Sequence, residues 1–543
     1  MRAQLFNPFH PNQPAAPVGF VGRKAETRHL AEALGQVRGG KTEHRLIIGE
    51  RGIGKSSLLS YVEHLARGKD KLPNGDLLQF LTLKVSITSS MDENDFLQEI
   101  ESHIEAEISK HQSGRGFLMK LKKIPEQLRE VNVVGLKFGP KRAAEERARS
   151  KRIKSIAKTV INITSGSGFS QNPVHGALLL IDECDQTSPS LCEFLRIFIE
   201  DMDKLTKCKL LVIAAGLPKT KAVFDKGHKS LNRVLPELRI SRFDDEEASF
   251  DDEEASVEFS EIYLKLAKEK DDTLSDLKAT QSAKTLLASL GDGHPHYLQR
   301  IGSSGFDQWN YRRESKQDDF PDLDMLTSGD IALGAMLKKE GALEVLASVH
   351  DWPLKKLGII TPEYREILFC MYCSGTELTE WSDISKDLCG DGFNELRLLE
   401  AREKLVGDKV IATDDNEHFC FVERLFVLLF RALYCEADLL KLSVRMKAAG
   451  AKLTVWRRKM VQAESAFLIH HIASGALEVR SRFGGTHSPE LLVLLSRAAE
   501  ICSAVEDLED ILQESDRILE RPLVDWIHNA CSSIETMGEE GSP

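Results

Sequence analysis

One octapeptide constrains this chain more than any other feature: Gly49-Glu50-Arg51-Gly52-Ile53-Gly54-Lys55-Ser56. It meets the spacing G-x-x-x-x-G-K-[ST] at every fixed position. The apolar run Leu46-Ile47-Ile48 precedes it, and Leu58, Leu59, Val62 and Leu65 follow at helical spacing. Strand, glycine loop, helix is the context that such a loop needs. Glycines let main-chain N–H groups close around phosphate oxygens, and a helix N-terminus adds partial positive charge. The ligand this predicts is ATP or ADP with Mg²⁺. Lys55 reaches the β- and γ-phosphates, and Ser56 ligates the metal. Gly49, Gly52, Ile53, Gly54 and Ser57 complete the expected phosphate cradle.

A second motif lies downstream. Ala177-Leu178-Leu179-Leu180-Ile181 is an apolar run that ends in Asp182 and Glu183. Asp182 is placed to hold Mg²⁺, and Glu183 to polarise the attacking water as general base. Alone such a run says little. After a complete phosphate loop it predicts hydrolysis as well as binding.

Around these motifs, short apolar runs alternate with helical patterns. Strands are expected at 45–49, 78–87, 177–182, 209–215 and 237–240, and helices at 56–66 and 189–205. Apolar strands separated by helices predict an α/β fold with a parallel sheet covered on both faces. An insertion over 90–175 interrupts the pattern. It holds amphipathic segments near 93–110 and 115–130, then a basic run, then a glycine- and serine-rich loop over 164–170. In the basic run Lys141, Arg142, Arg147, Arg149, Lys151, Arg152, Lys154 and Lys158 face only Glu145 and Glu146. On a helix this makes a positive face that could take nucleic acid or an acidic protein surface.

The heptapeptide Phe-Asp-Asp-Glu-Glu-Ala-Ser occurs twice in tandem from Phe243 to Ser256. It reads as a solvated acidic surface segment. Residues 257–345 read as wholly helical around a Gly-Asp-Gly-His-Pro turn at 291–295. Residues 360–425 read as three helices and a hairpin that turns near Asp414 to Glu417, the order of a winged helix. The expected organisation is an extended arm over 1–18, an ATPase core over 19–256, a helical lid over 257–345, a winged helix over 359–435 and a helical C-terminal domain over 436–543. Pro8, Pro11, Pro14 and Pro17 forbid a helix in the arm.

Taken together, the motifs make the chain resemble the P-loop ATPases of the AAA+ and STAND groups, particularly bacterial and archaeal proteins related to origin-recognition ATPases. Phe20-Val21-Gly22-Arg23 followed by Glu26 looks like the opening motif of that family, so Val21, Gly22 and Arg23 are expected beside the adenine. Residues 211–218 look like its fourth strand, although Ala214 and Ala215 stand where a polar sensor 1 is usual. Gly293-His294-Pro295 looks like the STAND turn whose proline, here Pro295, packs near the base. No sensor 2 arginine is visible there, and His294, His296 and Arg300 stand nearby. Arg233 sits where relatives carry an arginine that acts in a neighbouring subunit. The resemblance implies a nucleotide-dependent switch that works with a protein partner or effector and oligomerises with ATP, in roles such as signalling or antiphage defence. The alternative it implies is a DNA-dependent ATPase that loads or remodels factors on DNA.

Bulk properties narrow these options. The chain has 543 residues and a net charge of −12, which argues against wholesale coating of nucleic acid. The expected recognition helix over 393–404 sets Glu395, Glu400 and Glu403 against Arg397, Arg402 and Lys404. With Asp414, Asp415 and Glu417 at the hairpin tip, a protein-contacting or purely architectural winged helix is favoured over one that binds DNA. No apolar run is long enough to cross a bilayer. Ten scattered cysteines without a secretory signal fit reduced thiols in the cytoplasm. Cys370 and Cys373 read as helix-buried thiols rather than zinc ligands.

Overall fold

The computed structural model describes residues 6–72, 75–109, 141–165, 174–205, 207–243, 255–270, 274–275, 277–314, 325–336, 341–350, 361–373, 379–390, 392–413 and 418–422. The expected helix at 115–130, nearly all of the acidic repeat, the hairpin tip and the C-terminal region from 436 lie outside them. By contacts the chain divides into Asn12–Ala255 and a second unit of Met1–Pro11 with Ser256–Pro543.

The first unit is built on five parallel strands. They are β1 (Arg45–Ile48), β2 (Phe80–Ser86), β3 (Gly176–Asp182), β4 (Leu210–Gly216) and β5 (Glu237–Arg239). Their order across the sheet is β2-β3-β4-β1-β5. All residues of β3 and β4 are buried, as strands covered on both faces must be. Alternation divides their side chains between two cores. Leu179 and Ile181 of β3 join one core with α3 (Glu93–Ser109), α4 (Lys141–Thr164) and α5 (Pro189–Asp203). Leu178 and Leu180 join the other with α1 (Lys24–Arg38) and α2 (Lys55–Ala66). Phe96, Phe194 and Phe198 pack edge-on and tilted in the first core, with centroids 5.9–6.1 Å apart. Each such ring pair contributes about 0.5–1.5 kcal/mol beyond its buried area. Ser188 caps α5 by accepting from the Leu191 N–H, with Pro189 at its first turn. After β4 come α6 (Thr220–His228) and α7 (Leu231–Val234).

In the second unit, helices α8 (Ala255–Lys270), α9 (Gln281–Gly291), α10 (Pro295–Glu314), α11 (Ser328–Met336) and α12 (Ala342–Val349) pack around Tyr297, Phe306 and Trp309. Asp292 and Gly293 take left-handed conformations that end α9 and reverse the chain into Pro295. This stretch is not wholly helical. Lys278–Ala279 (β6) pairs in parallel with Met325–Leu326 (β7). Two residues per strand carry no readable period, so the pattern of the sequence conceals them.

The arm contributes to this unit. Asn7 donates to Ser303 and Asp307, and Phe9 is buried against Tyr263, stacked at 5.2 Å. A β-carbon at Gly302 would collide with the Phe9 ring. In the same unit follow α13 (Pro362–Cys373), α14 (Trp381–Gly390) and α15 (Glu395–Gly407). With them goes an antiparallel sheet of β8 (Thr379–Glu380), β9 (Ile411–Thr413) and β10 (His418–Phe421), in the order β8-β10-β9. Strand β8 adds a third member to the expected hairpin. Cys370 is a buried free thiol. No described helix is long and apolar enough to cross a membrane.

Candidate nucleotide site

The C-terminal ends of β1, β3 and β4 lie side by side, because β4 is paired with both β1 and β3. Ligands of open α/β sheets bind at such ends. The glycine loop leaves β1 there and enters α2. Gly52 (φ 76°) and Gly54 (φ 103°) occupy backbone conformations that L side chains rarely adopt. Gly49 has a different constraint. A β-carbon there would meet Ile240 Cγ1 and Ile53 Cγ2 at 2.7 Å. No side chain caps the N-terminus of α2, so its first N–H groups are available to an anion.

Lys55 folds over the loop. Its Nζ donates to the carbonyls of Gly49 (2.9 Å) and Glu50 (2.6 Å). Desolvation pushes the pKa of Lys55 below the usual lysine range, against the opposing pull of Asp182, Glu183, Asp185 and Glu50. Ser56 Oγ donates to Asp182 Oδ2 at 2.7 Å, which brings together the two residues expected to hold a metal. Asp182 Oδ1 accepts from the Glu183 N–H at 2.9 Å. Glu183 is exposed and sits in a left-handed conformation (φ 59°) at the exit from β3. The hydroxyl–carboxylate pair, the uncapped helix end and the positive-φ glycines suit Mg²⁺ and a polyphosphate.

The opening motif joins the same loop. Val21 is buried, and Gly22 (φ 66°) and Arg23 (φ 59°) form a left-handed turn into α1. The sequence pointed to the Arg23 backbone, but its side chain is equally engaged. The buried guanidinium donates to the Ile53 carbonyl at 3.2 Å, pairs with Glu26 at 3.4 Å and lies 4.9 Å from the Phe243 ring centroid. Ser57 Oγ accepts from the Ala15 N–H, at 2.9 Å. Arg233 is exposed on α7, where it donates to Ser230 Oγ. Pro295 opens α10 in the second unit.

Sequence reasoning missed Asp185 and Lys219. Asp185 is buried just past β3, and its carboxylate meets Lys219 Nζ at 3.1 Å and the Leu217 N–H at 3.4 Å. The pair ties the loop after β4 to the end of β3. A third carboxylate three residues after Asp182 was the available signal.

Residues 19–213 match the family model described as AAA ATPase domain. No curated protein matches the chain. Solved structures are matched more loosely. The Walker-type ATPase paby2304 of Pyrococcus abyssi is 19% identical, with TM-score 0.37 over 76% of this chain and 96% of that one. Cdc6p from Pyrobaculum aerophilum is 12% identical, with TM-score 0.36 over 79% and 97%. The RuvB Holliday junction branch migration motor of Thermotoga maritima is 13% identical, with TM-score 0.33 over 76% and 96%. Residues 19–213 are thus similar to the AAA ATPase domain family, and the sheet order and loop geometry above are those of the P-loop NTPase fold.

Proposed function

We propose that this chain binds ATP with Mg²⁺, hydrolyses it slowly, and uses the nucleotide state as a switch read by a protein partner. The 2.7 Å contact between Ser56 Oγ and Asp182 Oδ2 carries the reading, because it sets a metal-holding pair beside the phosphate loop. Bound Mg²⁺ would neutralise charge on the β- and γ-phosphate oxygens. The chain's own residues do the rest. Gly52, Gly54 and the start of α2 present N–H groups to the phosphates, and Lys55 trades its carbonyl partners for them. Asp182 and Ser56 would hold the metal. Glu183 accepts a proton from water at its carboxylate, and its exposed position leaves room for that water. Arg233 is the candidate for a contact made in a neighbouring copy.

A protein partner is favoured by the charges of α15. Arg397 pairs with Glu363 at 3.8 Å, Arg402 lies over Trp381 at 4.8 Å, and Lys404 lies over Tyr364 at 5.1 Å. Arg397 and Lys404 stay exposed, but Glu395, Glu400 and Glu403 share the helix and balance its three cations, while Leu396 and Val422 are 66% and 52% exposed. We read this module as a winged helix that contacts protein, since a DNA-reading helix needs an excess of cations.

Glu183→Gln tests the enzymatic half. It should retain ATP affinity and lower turnover by about 10²–10⁴, the usual worth of a general base. Turnover equal to wild type in that variant would remove Glu183 from the mechanism. The switch half predicts that the purified protein changes its hydrodynamic size between ADP and a non-hydrolysable ATP analogue once the partner is supplied. An unchanged size between the two nucleotides, both with and without the partner, would end it.

A further inference from the structure

Helix α4 carries more charge than the nucleotide site uses. Its eight basic residues do not form one face. Arg149 pairs with Glu93 of α3 at 3.1 Å, and Arg152 pairs with Glu101 at 2.9 Å. Arg147, Lys151, Lys154 and Lys158 behave differently. They are exposed, and none is in an ion pair among the described residues. At about 100° per residue, all four fall within roughly 60° of one another. The buried residues Ile153, Ile156, Ala157, Val160 and Ile163 occupy the opposite face, against the sheet. The result is a straight basic stripe about 16 Å long at 1.5 Å per residue.

The same chain contains a segment of matching charge. The tandem repeat places Asp244, Asp245, Glu246 and Glu247 seven residues before Asp251, Asp252, Glu253 and Glu254. The stripe has the same interval, from Arg147 to Lys154 and from Lys151 to Lys158. We propose that the stripe on α4 receives the acidic repeat of a second copy of this chain.

Sheet order favours a second copy over the same one. The repeat begins at Phe243, shortly after β5, and β5 is one edge of the sheet. Helix α4 packs with α3, α5 and β3, towards the other edge, which is β2. Four strand spacings of about 4.8 Å separate the two edges. Phe243 is buried, so the root of the repeat is held at its own edge. A stripe near one edge that receives a segment rooted at the other makes a head-to-tail contact, which grows into a ring or a filament. Nucleic acid is the weaker fit. A duplex is wider than the stripe and would meet Asp92, Asp95 and Glu105, exposed along the neighbouring α3. The contact also has a route to the nucleotide loop, because Phe243 lies against Arg23 and Arg23 holds the Ile53 carbonyl.

Solution mass by sedimentation, without nucleotide, tests this contact apart from any ATPase activity. The wild type should associate in 50 mM salt and dissociate in 1 M, where screening reaches only about 3 Å. Two variants each break one partner: K151E/K154E in the stripe and D251K/D252K/E253K/E254K in the repeat. Each alone should be monomeric in low salt. Mixed, they should form dimers and nothing larger, since only one junction is intact. A monomeric wild type in low salt, a K151E/K154E protein that still associates, or a mixture that stays monomeric would each overturn the proposal. So would duplex DNA bound by the wild type and lost in K151E/K154E while self-association persists.

Discussion

Ser56 Oγ lies 2.7 Å from Asp182 Oδ2, although the two residues belong to different turns of the chain and are separated by 126 positions. Parallel pairing produces this proximity. Strand β4 bonds to β1 on one side and β3 on the other, so the loop after β1 and the end of β3 open onto the same crevice.

The metal dependence of binding follows from that pair. Chelating Mg²⁺ should weaken ATP binding by the wild type. Ser56→Ala should weaken binding in the presence of Mg²⁺ and leave metal-free binding nearly unchanged. The loss should appear only when Mg²⁺ is present. Calorimetry with and without EDTA separates the two conditions. Equal losses in both would mean that Ser56 serves the loop and not the metal.

Lys55 is predicted to be costly to the fold and necessary for the ligand. Desolvation lowers its pKa in the folded chain, so the folded state binds fewer protons than the unfolded one just below the ordinary lysine range. Stability should therefore rise with pH in that window. For the same reason Lys55→Met should melt no lower than wild type near neutral pH. It should lose roughly 10- to 150-fold in ATP affinity, the equivalent of about 1.5–3 kcal/mol for a hydrogen bond to a charged group. Melting curves and calorimetry on one preparation give both numbers. Unaltered affinity would dismantle the reading of the whole site.

The sheet and the phosphate loop were legible because their signals are local. Four of the five strands are mostly apolar runs, β5 with Glu237 and Arg239 being the exception, and each observed boundary lies within two residues of the expected one. The glycine loop is set by steric needs that only particular residues meet. Long-range partners left no such trace. Nothing local in Lys219 announces that it will meet Asp185, and nothing in Arg23 announces a buried guanidinium at the Ile53 carbonyl. The basic run was legible as composition but not as geometry. Only the packing of α4 on α3 shows that Arg149 and Arg152 are neutralised and that, among the described side chains, Arg147, Lys151, Lys154 and Lys158 stay exposed. The strands β6, β7 and β8 are two residues each, too short for any period.

Glu183 shows strain at a functional position. A non-glycine residue at φ 59° costs about 1–2 kcal/mol in the left-handed region. Asparagine tolerates that region better and adds no unfolded-state freedom as glycine would. Glu183→Asn should therefore gain about 0.5–1 kcal/mol, which moves the melting midpoint of a domain this size up by about 1–4 °C, while hydrolysis is lost. A lower midpoint would show that the glutamate side chain repays its backbone cost through contacts of its own.

The N-terminal arm is predicted to be a structural part of its unit, held by one interlock between Phe9 and Gly302. The ring is buried, and the glycine leaves the space that the ring occupies. Phe9→Ala removes the ring and should cost about 3–5 kcal/mol if the pocket does not collapse. Gly302→Val fills the pocket from below and should expel the ring. Asn7 and the contacts of its amide with Ser303 and Asp307 would then be pulled away with it. Both changes destroy the same contact, so their costs cannot add. The double variant should be little less stable than the worse single one, with a coupling of about 1–3 kcal/mol in a thermodynamic cycle. Limited proteolysis gives an independent readout, since either variant should expose the arm to cleavage near Phe9. Strictly additive costs, or an arm that stays resistant in Gly302→Val, would place the hold on the arm at Asn7 and at the His10 N–H, which donates to Gln299, and not at the ring.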